Sequence, residues 1–240
     1  MRMHVDHLTI GALVYDGMDQ IDLTGPFEVL SRLSDTTFQT FGISNASIRD
    51  INGLRLLHDA AITDYPALDV LLVPGGFGQE NLMDNGPVLE WIRHQAGTAR
   101  KVLSVCTGAL LCGAAGLLHG RRATTHWSCQ HLLPYFGAMP VNARVVVEDN
   151  WVFAAGVTAG IDGALQMAAL MRGETEARSI QLDMVYAPEP PFDGGTPETA
   201  PVDILDRARR KYADISVQRE RTASQVATRL GILVEMSAIR

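Results

Sequence analysis

The chain has few cysteines, no excess of positive charge and no long apolar run. Three cysteines in 240 residues do not make the disulfide framework of a small secreted protein, so we expect a reducing, cytoplasmic setting. A formal net charge of −7 disfavours nucleic acid or an anionic membrane as the main partner. No apolar stretch is long enough to cross a bilayer, and residues 1–7 are not followed by a secretory apolar core.

Hydrophobic residues, by contrast, make up 47% of the chain, which is ample for the core of one large domain. Short apolar runs alternate along the sequence with longer helix-like segments. The predicted strands are 8–15, 37–44, 69–73 and 101–105, followed by a hairpin over 141–152. The predicted helices are 22–33, 87–95, 108–115, 159–171 and 174–186. Such alternation predicts an α/β fold with a mostly parallel sheet and helices on both faces.

Cys106 lies in the pentapeptide Ser104-Val105-Cys106-Thr107-Gly108, between a β-branched strand and a helix of small residues and leucines. Small residues two positions before and after the cysteine permit the sharp bend of a nucleophile elbow. A thiol at the N-terminus of a helix faces free N–H groups, which favour the thiolate. We therefore interpret Cys106 as a reactive nucleophile rather than as a buried small hydrophobe.

Two glycines supply a possible anion hole for such a nucleophile. Gly75 and Gly76 follow the strand 69–73, at the sheet edge where Cys106 is also expected. Glycine leaves backbone N–H groups unshielded, so we expect Gly76 to help stabilise developing negative charge together with N–H groups around Cys106. Thr107 either donates its hydroxyl to the thiolate or substrate, or satisfies backbone groups at the start of the helix.

Two residues are candidates for the proton carrier. Asp22 lies between apolar neighbours just before a predicted helix, where desolvation would raise its pKa, but an aspartate there equally fits a helix cap. His126 would make a Cys–His pair, and its alternative is a histidine hydrogen-bonded at the start of a helix. His126, Cys129 and His131 are also spaced like metal ligands, but no second ligand pair exists, so we expect no metal.

Residues 187–240 change in composition and form a C-terminal tail. A proline- and glycine-rich segment at 187–197 predicts irregular structure. A charged, helix-prone stretch from 201 to about 230 follows, and its interleaved acids and bases indicate a solvated face. We expect residues 1–240 to be a single domain whose tail packs across it or onto another subunit.

Several of these segments together resemble the ThiJ/PfpI superfamily, which has the flavodoxin-like fold of class I glutamine amidotransferase domains. The similarity runs from about residue 8 to about 230, and its tail is similar to the branch that hydrates isonitriles. The segments that carry it are 22–26 (DLTGP), 74–76 (PGG), 104–108 (SVCTG), 123–127 (ATTHW), 158–162 (TAGID) and the proline-rich stretch 186–200.

The resemblance implies a small-molecule isonitrile substrate, no cofactor and a homodimer. It also implies that Cys106 attacks the isonitrile carbon to give a thioimidate, with Asp22 as general acid and base. Protease-like members carry histidine directly after the cysteine, whereas this chain has Thr107. Glyoxalase-like members place a glutamate beside the thiol, where this chain has Asp22. Two alternatives stay open: a glyoxalase-like or redox-responsive protein, and a ligand-sensing domain related to AraC-type regulators.

Overall fold

A seven-stranded sheet forms the centre of the protein in the computed structural model, which describes residues 6–44, 46–64 and 66–234. The strand order is β10-β11-β7-β6-β1-β2-β5, and the β10–β11 pair is antiparallel while the other neighbours are parallel. The described strands are β1 (Leu8–Val14), β2 (Thr36–Gly42), β3 (Ile48–Arg49), β4 (Arg55–Leu56), β5 (Ala60–Ala61), β6 (Val70–Val73), β7 (Lys101–Val105), β8 (Arg122–Ala123), β9 (Met139–Pro140), β10 (Val145–Glu148) and β11 (Trp151–Ala154).

The burial of the central strands β6 and β7 shows that the sheet is covered on both faces. Every residue of β6 is buried, as are the last four residues of β7. A strand buried on both faces reads as a continuous apolar run rather than an alternating one, and both strands have that pattern. The predicted α/β fold class is therefore confirmed.

Six α-helices surround the described sheet and form separate packed groups. Helix α1 packs against α4, which also contacts α5, whereas α2 packs against α3. These helices are α1 (Gln20–Leu30), α2 (Gly86–Thr98), α3 (Gly108–Ala114), α4 (Ala159–Arg172), α5 (Glu174–Asp183) and α6 (Val202–Leu230). Two 3₁₀ helices, Phe77–Leu82 and Trp127–Phe136, follow β6 and β8.

Helix α1 begins earlier than the sequence pattern predicts. The pattern places its start at residue 22, but the helix begins at Gln20, and the Asp19 side chain accepts a hydrogen bond from the Ile21 N–H as its N-cap. Asp22 therefore lies inside the first turn, and the capping alternative for that residue is wrong. Because the helix begins at Gln20, Asp22 lies on its inward face, and the side chain is fully buried.

The C-terminal segment returns to the body of the protein through one long helix. Helix α6 has 29 residues and packs against both 3₁₀ helices. Its buried residues are Arg219, Ala223, Val226 and Ala227, which recur at helical spacing and share one face. No helix in the described part of the chain has both the length and the hydropathy of a membrane span. Residues 1–5 and 235–240 of the predicted single domain lie outside the described residues.

Candidate active site

Cys106 lies at the turn between β7 and α3, with the unusual backbone φ of 55°. A positive φ is strained for a residue with a Cβ atom, so the surroundings must hold it there. The Cys106 N–H donates to the Ala154 carbonyl at 2.9 Å, and its own carbonyl accepts from the Thr125 hydroxyl at 2.7 Å. At Gly108 an added Cβ would lie 2.0 Å from the Val73 carbonyl oxygen, so only glycine fits this close approach. The predicted elbow is present.

Asp22 is fully buried beside Cys106. Its Oδ2 atom accepts a hydrogen bond from the Gly75 N–H at 3.0 Å, which ties α1 to the loop after β6. Its Oδ1 atom has no hydrogen-bond partner of good geometry among the described residues, but the carboxyl is close enough for the Cys106 thiol to lower its pKa. The thiol and the carboxyl thus lie side by side, both buried.

Burial governs the ionisation of this pair. Desolvation, followed by the charge of Asp19, raises the pKa of Asp22 to about 8, although hydrogen bonds from Gly75 and Cys106 oppose the rise. Desolvation and the Asp22 charge also raise the pKa of Cys106 above its ordinary value, against the opposing Thr107 N–H. The sequence predicts a thiolate favoured by the helix N-terminus. The structure instead places the thiol where burial outweighs that effect, so the pair retains protons near neutrality.

The glycine loop after β6 makes hydrogen bonds to Asp22 and Thr107. The Gly75 N–H donates to Asp22, and the Gly76 N–H donates to the Thr107 Oγ1 at 3.0 Å. The Thr107 hydroxyl in turn donates to the Gly76 carbonyl at 3.1 Å. These N–H groups and this hydroxyl are therefore engaged within the protein, and their role in an anion hole stays a prediction. They position Asp22 and the start of α3.

His126 lies near the thiol but is neutral at physiological pH. Its Nδ1 atom hydrogen-bonds to the Ser128 hydroxyl at 2.8 Å, at the start of the second 3₁₀ helix. Burial and the positive charge of Arg219 lower the pKa of His126 to about 4. A neutral imidazole supplies a proton less readily than a carboxyl with a pKa of about 8, which is the pKa of Asp22.

A cavity of about 190 Å³ opens onto Cys106, the member of the pair that lines it. Cys106, Thr107 and His126 line it from the body of the fold. Helix α6 adds Tyr212 and Arg219, neither of which the sequence analysis identified. A larger cavity of about 620 Å³ borders Trp127 and His131 but does not include the cysteine. The smaller cavity is therefore the candidate active site.

Helix α6 contributes an aromatic wall to the cavity. The Tyr212 ring lies 5.9 Å from the ring of Phe77, 5.5 Å from that of His126 and 5.7 Å from that of Trp127, measured between centroids. Offset and edge-to-face arrangements at these distances are favourable. This packing anchors α6 over the site. Among the described residues, no group of three or more His, Cys, Asp or Glu side chains is arranged to hold a metal ion.

The second and third cysteines differ in their surroundings. Cys112 is buried in α3, as predicted for a core residue. Cys129 is also buried, but its sulfur accepts a hydrogen bond from the Arg219 Nη1 at 3.3 Å. Cys129 thus lies at the edge of the site, which the apolar pattern around it did not indicate.

Known proteins resemble this chain over most of its length. The model of the DJ-1/PfpI family matches residues 9–170. The isonitrile hydratase of Pseudomonas putida is 44% identical over 94% of this chain and 99% of its own length. The HTH-type transcriptional regulator GbdR of Pseudomonas aeruginosa is 26% identical over 74% of this chain, which covers only 50% of that regulator. A crystal structure of a ThiJ/PfpI family protein from Pseudomonas syringae superposes with a TM-score of 0.89 at 36% identity, covering 91% of each chain.

The match with the family model spans β1, the cysteine turn and most of α4, so it includes the sheet and both members of the buried pair. The similarity to the Pseudomonas putida hydratase extends beyond that region into the tail. The chain therefore belongs to the DJ-1/PfpI family.

Proposed function

We propose that this protein is an isonitrile hydratase, which adds water to an isonitrile to give an N-substituted formamide. The observation that carries the proposal is a fully buried Asp22 carboxyl beside the Cys106 thiol. The extent of similarity to the Pseudomonas putida hydratase, covering nearly the whole of both chains, supports the same activity.

The first step joins the sulfur to the isonitrile carbon. The terminal carbon of R–N≡C accepts a proton from Asp22 as the Cys106 Sγ forms a bond to the same carbon. The pair reacts in its singly protonated form, with sulfur as the thiolate, so the carbon gains one proton and the sulfur while Asp22 is left as the carboxylate. The product is a thioimidate, R–N=CH–S–Cys106.

The second step consumes water. The Asp22 carboxylate removes a proton from water while the oxygen adds to the thioimidate carbon, and the nitrogen receives a proton from the carboxyl. The C–S bond then breaks as the carbonyl forms, and the hydroxyl proton returns to the Cys106–Asp22 pair. One isonitrile and one water become R–NH–CHO, and no electrons are gained or lost. We propose that the reaction needs no cofactor.

The raised pKa of Asp22 suits these proton transfers. A carboxyl with a pKa of about 8 can both give and take a proton near neutral pH, which is the condition for an efficient acid and base. The hydrogen bond from Gly75 fixes the Oδ2 atom, so the Oδ1 atom, which has no such partner among the described residues, is the one that exchanges protons. Cys106 is only 6% exposed, so bulk water has little access to the thioimidate.

A direct assay tests the proposal. The purified protein is incubated with a small isonitrile and, separately, with methylglyoxal, while formamide and lactate are followed. Formamide formation by the wild type, lost in Cys106→Ser, supports the hydratase. Lactate alone would establish the glyoxalase-like alternative. A protein that consumes neither compound would favour the ligand-sensing alternative. The partial similarity to the regulator GbdR is the observation behind that alternative.

We also propose that the enzyme is a cytoplasmic homodimer. Free cysteines at positions 106, 112 and 129 fit a reducing compartment. Light scattering coupled to size exclusion tests the assembly, since a monomer has a mass of 26.1 kDa and a dimer twice that value.

A further inference from the structure

Arg219 occupies an unusual place on helix α6. Most basic residues of this helix are exposed, but Arg219 is only 2% exposed and takes the first position of the buried stripe that continues through Ala223, Val226 and Ala227. Transferring a guanidinium from water into a protein interior costs several kcal/mol, on the order of the stability of a small domain, unless it is compensated. The groups around Arg219 must therefore compensate for this desolvation cost.

Those surroundings offer hydrogen bonds but no paired carboxylate. The Nη2 atom donates to the Gly76 carbonyl at 2.9 Å and Nη1 donates to the Cys129 sulfur at 3.3 Å. The Nε atom is buried without a partner in the described part of the chain, and no described carboxylate comes within ion-pair distance of this guanidinium. Its charge is therefore not neutralised by a salt bridge there. It lines the same cavity as Cys106.

We propose that Arg219 is the fixed cation of this cavity and that it stabilises the anionic, reactive state of the Cys106–Asp22 pair. In that state the pair holds one proton and one negative charge, and a buried positive charge nearby offsets the cost of burying it. Arg219 acts through the pair, so it is a positioning residue. The inference rests on the proposed nucleophile Cys106 but not on the identity of the substrate.

The influence of this charge is visible on neighbouring groups. Burial lowers the pKa of His126 and Arg219 lowers it further, whereas for Cys106 burial and Asp22 raise the pKa and Arg219 opposes that rise less strongly than the Thr107 N–H does. Arg219 also opposes the rise in the pKa of Glu80, whose Oε1 atom accepts a hydrogen bond from Thr222. The titratable and charged groups that face the pair or Arg219 from the packed elements are Tyr15, Asp19, Glu80, His126, Cys129 and, from α6, Lys211 and Tyr212.

The rate of Cys106 alkylation by iodoacetamide tests the inference without any isonitrile. The rate is measured at fixed pH by mass spectrometry of the Cys106 peptide, because below the thiol pKa it is proportional to the fraction of thiolate. Arg219→Gln should lower the rate about tenfold or more, which corresponds to at least one pKa unit. Arg219→Lys, which keeps the charge, should recover most of it. Arg221→Gln, an exposed arginine on the same helix, is the matched control and should leave the rate within about twofold.

A folded Arg219→Gln variant that alkylates at the wild-type rate, or faster, would overturn the proposal and leave Arg219 a structural residue or a countercharge to Glu80.

A second measurement needs no substitution. In the wild type, the ratio of the iodoacetate rate to the iodoacetamide rate should exceed the ratio for an unstructured cysteine peptide, because a buried cation attracts the anionic reagent. A ratio at or below the peptide's also overturns the proposal. An inert Cys106 in both reagents would instead refute the nucleophile on which the inference rests.

Discussion

Replacing Asp22 by asparagine should stabilise the protein, and the gain should grow with pH. Below pH 3.8 the carboxyl is protonated in both the folded and the unfolded chain, so its charge costs nothing. Between pH 3.8 and about 8 the unfolded chain releases a proton that the folded chain retains, so the free energy of unfolding of the wild type falls as pH rises. Because each pKa unit corresponds to about 1.4 kcal/mol, this loss reaches at most about 6 kcal/mol. The Asp22→Asn variant has no carboxyl to titrate, and its amide oxygen can still accept the Gly75 hydrogen bond.

The assay is urea unfolding of the wild type and Asp22→Asn at pH 4, 6 and 8, with the difference in the free energy of unfolding taken at each pH. The difference should increase steadily by several kcal/mol across this range. Asp214→Asn is the matched control, since Asp214 is exposed on α6 and water already hydrates its carboxylate. A difference for Asp22→Asn that changes by less than about 1 kcal/mol between pH 4 and 8 would refute the reasoning, because a buried carboxyl must show this linkage.

Three further outcomes follow from the geometry. Asp22→Asn should lower the rate of isonitrile turnover by about 10²- to 10⁴-fold, the usual contribution of a general acid or base, and a wild-type rate would remove Asp22 from the mechanism. For the wild type, kcat/KM should rise with pH through a pKa near 8 as the pair passes to its singly protonated form; a flat profile between pH 6 and 9 contradicts this assignment. Gly108→Ala should destabilise the protein by about 2 kcal/mol or more, because its Cβ would lie 2.0 Å from the Val73 carbonyl oxygen; a melting temperature equal to that of the wild type would show that the elbow is not tightly packed.

The parts of the site that sequence reasoning located depend on local pattern. The apolar run before Cys106 and the small residues after it defined the strand, the turn and the helix, and the structure confirms all three. The α/β class followed from the alternation of elements for the same reason. The position of Asp22 inside α1 was less accessible, because the pattern around Pro26 suggested a later start.

The features that were missed depend on contacts between distant residues. The engagement of Gly76 with Thr107 and of Gly75 with Asp22 joins segments 31 and 53 positions apart. The raised pKa of Cys106 arises from desolvation, which no local pattern reports. One feature of the sequence could have identified Arg219 as buried: it begins a stripe of apolar and small residues at helical spacing. Its charged neighbours instead suggested a solvated face.

The measurement that tests the account most directly is rapid-quench mass spectrometry of the wild-type protein mixed with a small isonitrile. During turnover the Cys106 peptide should gain the full mass of one isonitrile, the signature of a thioimidate, and that mass should disappear as formamide accumulates. Formamide released at the same rate by Cys106→Ala, with no mass added at Cys106 in the wild type, would contradict the mechanism.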